Sequence, residues 1–381
     1  MIPLTEEQQM LQAMVRRMAR EKLKPRAAEI DNTGEFPWDI VELFRENGLF
    51  GIHFPEEYGG SGGGVVDLCL AVEEVAQGCS DAAVILAGQA LGSKLILLSG
   101  SEEQKRKYLP RIASGEFIPA FALTEPGAGS DNVSMQSRAV RDGDYYVING
   151  RKIFITHADV ADIFTLFAKT DPEKKARGIS AFIINKGTPG LGIGKIEKKM
   201  AHKGNHACEV ILEDVRVPRE NLVGAEGEGF MEAMKILTTS RPVTAARAVG
   251  LAQVALDEAV AYAKTRVQFG QPIAKFQGIQ FMLADMAIKV EAARQLVYNA
   301  AFLADRDYKS KEAQRASSMA KCFATDTAMQ VTCDAVQVFG GYGYMREYPV
   351  ERLMREAKVT QIVEGTNQVQ RVVIARALLE D

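Results

Sequence analysis

DYYVINGRKIFIT, residues 144–156, marks the point at which the character of the chain changes. Apolar and polar residues alternate along it, which is the period of a half-buried β-strand. The pair Asn149-Gly150 is typical of the tight turn of a β-hairpin. Further β-rich runs follow at 162–170, 178–187 and 208–218. Together these segments predict a compact, barrel-like β domain over residues 119–227.

On both sides of this domain the pattern is helical. Upstream, apolar residues recur at helical spacing from Leu11 to Met18, and Thr5 has the position of an N-cap. Downstream, three long alanine-rich amphipathic segments and a terminal one predict a four-helix bundle. The sequence therefore predicts a mainly α protein with a central β domain. Its parts are an N-terminal α-helical domain (1–118), the middle β domain (119–227) and a C-terminal four-helix bundle (228–381).

Composition excludes several classes of function. The 381 residues carry 46 basic and 49 acidic side chains without a basic block, which argues against nucleic-acid binding. The start, MIPLTEEQQM, is acidic and polar, which argues against a secretory or mitochondrial leader and favours a cytoplasmic protein. The longest apolar stretch, 82–100, is interrupted by Gln89, Ser93 and Lys94. We interpret it as a buried helix and not as a membrane span.

Metal and nucleotide motifs are weak or absent in the sequence. Five cysteines form no CxxC pair, which fits a reducing compartment and small buried hydrophobic side chains. His202 and His206 are four residues apart, but Gly204 lies between them and the flanks resemble strands. We therefore interpret them as polar loop histidines, with no metal site expected. The sequence contains no GxGxxG, GxxxxGK[ST] or GxSxG motif.

FALTEPGAGSD, residues 121–131, is the first motif with a chemical signal. Pro126, Gly127 and Gly129 predict a turn in which Thr124, Ser130 and backbone N–H groups converge on polar ligand atoms. On spacing alone, an ordinary glycine-rich loop is an equally good interpretation.

This motif resembles the signature of the acyl-CoA dehydrogenase family of flavoenzymes. KIFIT (152–156), RVQFG (266–270), FQGIQ (276–280), QVFGGYGY (337–344) and VEGTNQVQR (363–371) resemble that family's motifs in the same order. The resemblance covers nearly the whole chain. It implies a three-domain fold, FAD as cofactor, an acyl-CoA substrate in fatty acid metabolism, a homotetramer, and an electron-transferring flavoprotein as partner.

The resemblance also implies residue roles. Residues that would line the flavin are Phe121, Leu123, Thr124, Gly129, Ser130, Phe154 and Thr156. Residues that would reach the FAD of a neighbouring subunit are Arg266, Phe269, Gln277, Gln337 and Gly341. Two more residues, Thr366 and Gln368, would hold the pyrophosphate region of the cofactor. Ser130 and Arg241 would lie near the substrate. Alone, Phe154 or Phe269 would be assigned to a hydrophobic core.

Glu364 has two interpretations. Alone, it is an acid near a helix start, favoured by the helix dipole by under about 1 kcal/mol. The resemblance makes it the catalytic base instead. The α-C–H of a thioester is a weak acid, so its removal requires a base held close and shielded from water. Hydride transfer from the β-carbon to flavin N5 would then yield a trans-2-enoyl-CoA.

The substrate class is less well defined by the sequence. Ser240 together with Glu364 resembles the short- and medium-chain members, whereas Thr238, His157 and Val363 depart from common residues. Val363 replaces a frequent tyrosine, which predicts room for a branched or alicyclic acyl group. No arginine lies between residues 80 and 92, where relatives specific for dicarboxylic acyl groups carry one, so such a substrate is disfavoured.

Three alternatives remain open at this level. The same fold could serve an acyl-CoA oxidase, or an enzyme that works in the reductive direction. From another class, the chain could be a flavin-free helical interaction protein.

Overall fold

The computed structural model describes residues 3–379 and has the order helix, sheet, helix. The predicted mainly α fold with a central β domain is therefore confirmed. The helices are α1 (Glu6–Met18), α2 (Ala27–Thr33), α3 (Trp38–Glu46), α4 (Val65–Gly78), α5 (Ser80–Ser99), α6 (Glu102–Ala113), α7 (Gly229–Thr265), α8 (Gln277–Asp307), α9 (Lys311–Phe339), α10 (Val350–Thr360) and α11 (Asn367–Leu379).

The N-terminal part begins with a capped helix. Thr5 Oγ1 accepts from Gln8 N, and Gln8 Oε1 accepts from Thr5 N, each at 3.2 Å, which confirms the predicted N-cap of α1. The glycine-rich segment 59–64 separates the short helices from α4. Helix α5 contains the long apolar stretch. By length and composition it could cross a membrane, but 61% of its apolar window is buried inside the protein.

The β domain is one mixed sheet with strand order β6-β7-β3-β2-β4-β5-β8, and β1 pairs parallel with β4. Its strands are β1 (Pro119–Ala122), β2 (Arg138–Asp142), β3 (Tyr145–Thr156), β4 (Ile163–Lys169), β5 (Ile179–Asn185), β6 (Leu191–Ile196), β7 (Ala207–Pro218) and β8 (Leu222–Val223). A short hairpin, β9 (Val267–Gln268) with β10 (Gln271–Pro272), joins α7 to α8.

The predicted hairpin turn at Asn149-Gly150 is wrong. β3 runs through both residues, and its pairing with β7 shifts register between Ile148 and Gly150. Gly150 has a φ of 151°, and a Cβ there would meet Ser137 Oγ at 2.2 Å, so the glycine serves a β-bulge. The true turn joins β2 to β3 at Gly143, which has a φ of 60°.

The C-terminal helices α7, α8 and α9 are the three long members of the predicted bundle. The terminal member is divided into α10 and α11, and the segment 361–366 between them carries Glu364. One apolar core extends from Val15 on α1 through α4 and α5 to Val249 on α7 and Ala357 on α10. The N-terminal and C-terminal helices therefore share a core, whereas a separate cluster of buried apolar residues lies within the β domain.

Candidate active site

The turn between α10 and α11 presents Glu364 in an unusual backbone conformation. Glu364 has a φ of 55° and Gly365 a φ of 88°. The left-handed backbone conformation costs a non-glycine residue about 1–3 kcal/mol. Gln370 Nε2 donates to the carbonyls of Glu364 (3.2 Å) and Gly365 (2.8 Å), and Lys321 Nζ donates to the carbonyl of Gly365 (2.8 Å). These hydrogen bonds stabilise the turn. Because α11 begins only at Asn367, Glu364 is not an acid in the first turn of this helix.

The carboxylate of Glu364 is held by two hydroxyl groups of α7. Ser240 Oγ donates to Oε2 and Thr244 Oγ1 donates to Oε1, both at 2.6 Å. Ser240 and Thr244 are buried and four residues apart, so they lie on one face of the helix. Each oxygen of the carboxylate therefore has one short, charge-assisted hydrogen bond, which fixes its orientation.

Buried cations surround this carboxylate. Burial lowers the pKa of Arg241 to about 10 and the pKa values of Lys94 and Lys321 to about 8, while Glu364 acts in the opposite direction on all three. Burial also lowers the pKa of Arg247, again against Glu364. Four buried basic side chains thus interact with the same Glu364 carboxylate.

Arg241, predicted near the substrate, lies beside the Glu364 turn. Its Nη2 is 3.9 Å from the position that a Cβ on Gly365 would occupy. Nη1 donates to Ser318 Oγ at 3.4 Å, and Nε is buried without a hydrogen-bond partner within residues 3–379. The structure therefore brings together Arg241 and Glu364.

A second group of predicted residues lies on the β domain. Ile153 N donates to the carbonyl of Thr124 at 2.9 Å and so joins the end of β1 to β3. Below this junction, buried Lys152 Nζ donates to Glu125 Oε1 at 2.7 Å and to the carbonyl of Leu123 at 3.2 Å. Burial lowers the pKa of Lys152 to about 8, and Glu125 acts against that shift. This buried ion pair holds the FALTEPGAGSD loop against the sheet.

The surface above this junction is open. Phe154 has a φ of 58° and lies where the pairing of β3 with β7 shifts register, so its ring is 60% exposed. Thr156 is half-buried, and Phe121 packs on Phe167 with ring centroids 5.2 Å apart. Gly129 and Ser130 are exposed, and a Cβ on Gly129 would meet nothing within 4 Å. An exposed aromatic ring and an exposed glycine-containing loop on the same domain suit a planar ligand.

A third group lies at the ends of the long helices. Arg266 and Gly341 line one cavity of about 460 Å³, in which the Arg266 guanidinium is 5.1 Å from the ring centroid of Tyr342. Phe269 is 93% exposed in the β9–β10 hairpin. Gln277 begins α8, and Gln337 lies in the last turn of α9. Within residues 3–379, no side chain of this group hydrogen-bonds to the Glu364 turn.

Thr366 and Gln368 follow Glu364 directly. Thr366 Oγ1 accepts from Val369 N at 3.3 Å and so caps the start of α11, while Gln368 is exposed. Thr366 therefore has a structural role in the turn in addition to the predicted contact with the cofactor.

The histidines and cysteines differ in part from expectation. His202 lies in a loop, as predicted, but is 5% exposed and faces the Glu356 carbonyl at 3.2 Å. His157 is buried against Asn205, with 2.6 Å between Nε2 and Oδ1. Within the described residues, no three His, Cys, Asp or Glu side chains could hold a metal ion. Cys333 is exposed, contrary to expectation, whereas the other four cysteines are buried.

Sequence reasoning missed four residues of this site. Thr244 and Arg247 lie four and seven residues after Ser240, so helical spacing alone could have selected them. Lys321 and Gln370 support the backbone of the turn, and no sequence pattern points to contacts of that kind.

Comparison with known proteins identifies the family. The chain matches the N-terminal, middle and C-terminal domains of acyl-CoA dehydrogenases over residues 5–116, 120–215 and 227–379. It is 50% identical to an acyl-CoA dehydrogenase of Bacillus subtilis, covering 99% of both chains. It is 51% identical to cyclohex-1-ene-1-carbonyl-CoA dehydrogenase of Syntrophus aciditrophicus, covering 99% of this chain and 91% of the relative. It is 50% identical to a short-chain specific acyl-CoA dehydrogenase of Clostridium acetobutylicum, covering 98% of both.

Solved structures agree with this assignment. Butyryl-CoA dehydrogenase from Megasphaera elsdenii is 44% identical, with a TM-score of 0.96 over 100% of both chains. A chain from a structural study of the electron transferring flavoprotein of Acidaminococcus fermentans is 50% identical, with a TM-score of 0.97 over 100% of both. The chain therefore belongs to the acyl-CoA dehydrogenase family, whose members are FAD-dependent oxidoreductases acting on CH–CH groups.

Proposed function

We propose that Glu364 is the base that removes the α-proton of a saturated acyl-CoA thioester, which becomes a trans-2-enoyl-CoA. The observation that carries this proposal is the position of the carboxylate, 2.6 Å from both Ser240 Oγ and Thr244 Oγ1. These hydroxyl groups orient the carboxylate and leave its remaining lone pairs for the substrate. A weak carbon acid requires such a fixed base.

The backbone of the turn supports the same chemistry. Within residues 3–379, the N–H of Glu364 has no hydrogen-bond partner. It is therefore free to donate to the thioester carbonyl, where negative charge develops as the α-proton leaves. Because Glu364 and Gly365 both have a left-handed φ, one short turn can direct both the N–H and the carboxylate of Glu364 toward the substrate.

The cofactor residues fit a flavin. FAD, when bound, supplies the acceptor for the hydride that leaves the β-carbon. The exposed ring of Phe154 and the open Gly129 leave space for a planar ring system. Residues of one chain that would hold FAD are Phe121, Leu123, Thr124, Gly129, Ser130, Phe154, Thr156, Thr366 and Gln368. Residues that would reach it from a second subunit are Arg266, Phe269, Gln277, Gln337 and Gly341.

The substrate is proposed to be a short- or medium-chain acyl group with bulk near the reacting carbons. Val363 is half-buried beside Glu364 and takes less space than an aromatic residue there. The relatives from Syntrophus aciditrophicus and Clostridium acetobutylicum are named for a cyclohexene-carbonyl and a short-chain substrate. These names support an alicyclic or a short acyl group.

The electron acceptor is proposed to be an electron-transferring flavoprotein, and the protein a homotetramer. The 50% identity to a chain from work on such a flavoprotein supports the first part. Exposed apolar side chains on α8, namely Phe281, Ile288 and Phe302, support the second. Their spacing of 7 and 14 residues places them on one face of the helix.

The test is an anaerobic titration of the purified flavoprotein with straight, branched and alicyclic saturated acyl-CoA thioesters. Bleaching of the flavin band by one thioester is expected, with a trans-2-enoyl-CoA as product. Oxygen uptake with the same thioester would identify an oxidase instead. A flavin that no saturated thioester bleaches would contradict the proposed direction of reaction.

The variant Glu364→Gln tests the base. It keeps the size of the side chain, so we expect it to bind FAD and thioester but to bleach about 1,000-fold more slowly, in the middle of the range for loss of a general base. Glu347→Gln changes an exposed glutamate of the C-terminal part and serves as the control. A wild-type rate of flavin bleaching in Glu364→Gln would contradict the assignment of Glu364 as the base.

A further inference from the structure

Helix α7 continues the face that holds Glu364. Ser240 and Thr244 both donate to the carboxylate, and Arg247 follows at the next position of that face. Positions separated by four and then three residues lie above one another on a helix. Arg247 is thus roughly 4.5 Å along the helix axis beyond Thr244.

The guanidinium of Arg247 is buried and unpaired among the described residues. The residue is 6% exposed, and its Nε is buried without a hydrogen bond. Within residues 3–379, no side chain or carbonyl forms a hydrogen bond or an ion pair with it. Arg294 shows the usual state of an arginine in this fold, because it bonds to Glu73 at 2.8 Å and to Glu291 at 2.9 Å. An unpaired buried guanidinium is costly and calls for a ligand.

The acids near Arg247 are already engaged. Asp81 Oδ1 accepts from Asn205 Nδ2 at 2.9 Å, and Glu356 Oε1 is 3.4 Å from Arg352 Nε. Both oxygens of Glu364 accept from α7 hydroxyl groups. Lys94 and Arg241 are buried near Glu364 as well, so this one carboxylate is shared among several basic side chains.

We propose that Arg247 binds a carboxylate at the far end of the acyl group, so that the substrate is the mono-CoA thioester of a short dicarboxylic acid. The inference rests on the proposed function, since it places the reacting carbons at Glu364. A guanidinium fork matches a carboxylate with two parallel hydrogen bonds. Residues 80–92 of α5 contain no arginine that could pair with such a carboxylate, and Arg247 on α7 takes that place instead. Val363 adjoins Glu364, so it would contact the acyl group next to the reacting carbons and not at its far end.

The test compares matched pairs of substrates on the holoenzyme. Each pair is a neutral thioester of four, five or six acyl carbons and the dicarboxylic thioester of equal length. The best dicarboxylic thioester is expected to exceed its neutral partner by about 100-fold in kcat/KM, the loss expected when one member of a buried charge pair is missing. A neutral thioester that outperforms every dicarboxylic one overturns this inference and leaves the proposed function intact. Turnover of neither class overturns both.

Variants of Arg247 separate substrate recognition from a structural role. Arg247→Met removes the charge at similar size, so KM for the dicarboxylic thioester should rise about 100-fold while the neutral partner is unaffected or improves. Arg247→Lys keeps a cation and should retain part of the preference, which tests the site even if the methionine variant does not fold. Lys107→Met removes an exposed lysine of α6, outside the site, and should leave the ratio between the two classes unchanged. Equal losses for both classes in Arg247→Met would overturn the inference.

Discussion

Thr244 is the residue whose contribution to the site is most easily isolated. It donates one 2.6 Å hydrogen bond to Glu364 and is 3% exposed. Thr244→Val keeps the shape and removes the donor. A hydrogen bond to a charged group contributes about 1.5–3 kcal/mol, so we expect the rate of flavin bleaching to fall about 10- to 100-fold. Stopped-flow absorbance measures this rate.

Thr244→Ser provides the matched control, because it keeps the hydroxyl group and should stay within a few-fold of the wild type. A wild-type rate in Thr244→Val would mean that Ser240 alone orients the carboxylate.

Among the site residues, only part of the geometry was predictable. Glu364 could be selected because its motif resembles a family signature, and Thr244 because it lies one turn from Ser240. Gln370 and Lys321 hold the turn through backbone carbonyls. Any polar side chain that reaches a carbonyl can do this, so the sequence contains no pattern for it.

At the level of single elements, the Asn149-Gly150 pair shows why local signals fail. Asn149 Nδ2 donates to Asp214 Oδ1 at 2.9 Å across the β3–β7 pair, and Gly150 makes room for Ser137. The long antiparallel pairing with β7 keeps β3 extended, although the dipeptide favours a turn. Helix existence and order were predictable from periodicity because those segments are long.

Helix α5 carries a buried charge whose effect on stability depends on pH. Burial lowers the pKa of Lys94 from 10.5 to about 8. Between these values the unfolded chain binds more protons than the native protein at this residue, so the free energy of unfolding rises with pH through this window. Lys94→Met removes this dependence. At pH 7 we expect the free energy of unfolding of Lys94→Met to exceed that of the wild type by about 3 kcal/mol. This value corresponds to the difference between a pKa of 10.5 in the unfolded chain and about 8 in the native protein.

Urea denaturation of the holoenzyme at pH 7, 9 and 10.5 measures the effect, and the difference between the two proteins should shrink toward the highest pH. Lys107→Met removes an exposed lysine of α6 and should change stability little. A constant difference across the three pH values would contradict the assignment to Lys94.

For the whole molecule, the exposed apolar face of α8 leads to a prediction about assembly. Ile288 is 66% exposed between Phe281 and Phe302 on that face. Ile288→Glu introduces a charge into the proposed subunit contact, so we expect a smaller species and a lower flavin content. Light scattering and the visible spectrum measure both. Met10→Glu, at a 71% exposed position on α1, is the control. An intact tetramer in Ile288→Glu would exclude this face as an interface.

The core shared by the first and last helices has a consequence for how the chain folds. Val15 and Val249 belong to one cluster, although the whole β domain separates them in sequence. Forming this helical core therefore brings together distant parts of the chain and closes a loop that contains the whole β domain. A fragment ending near residue 118 would lack the partners of α4 and α5, so the boundary between the first two domains is not a boundary between independent folding units.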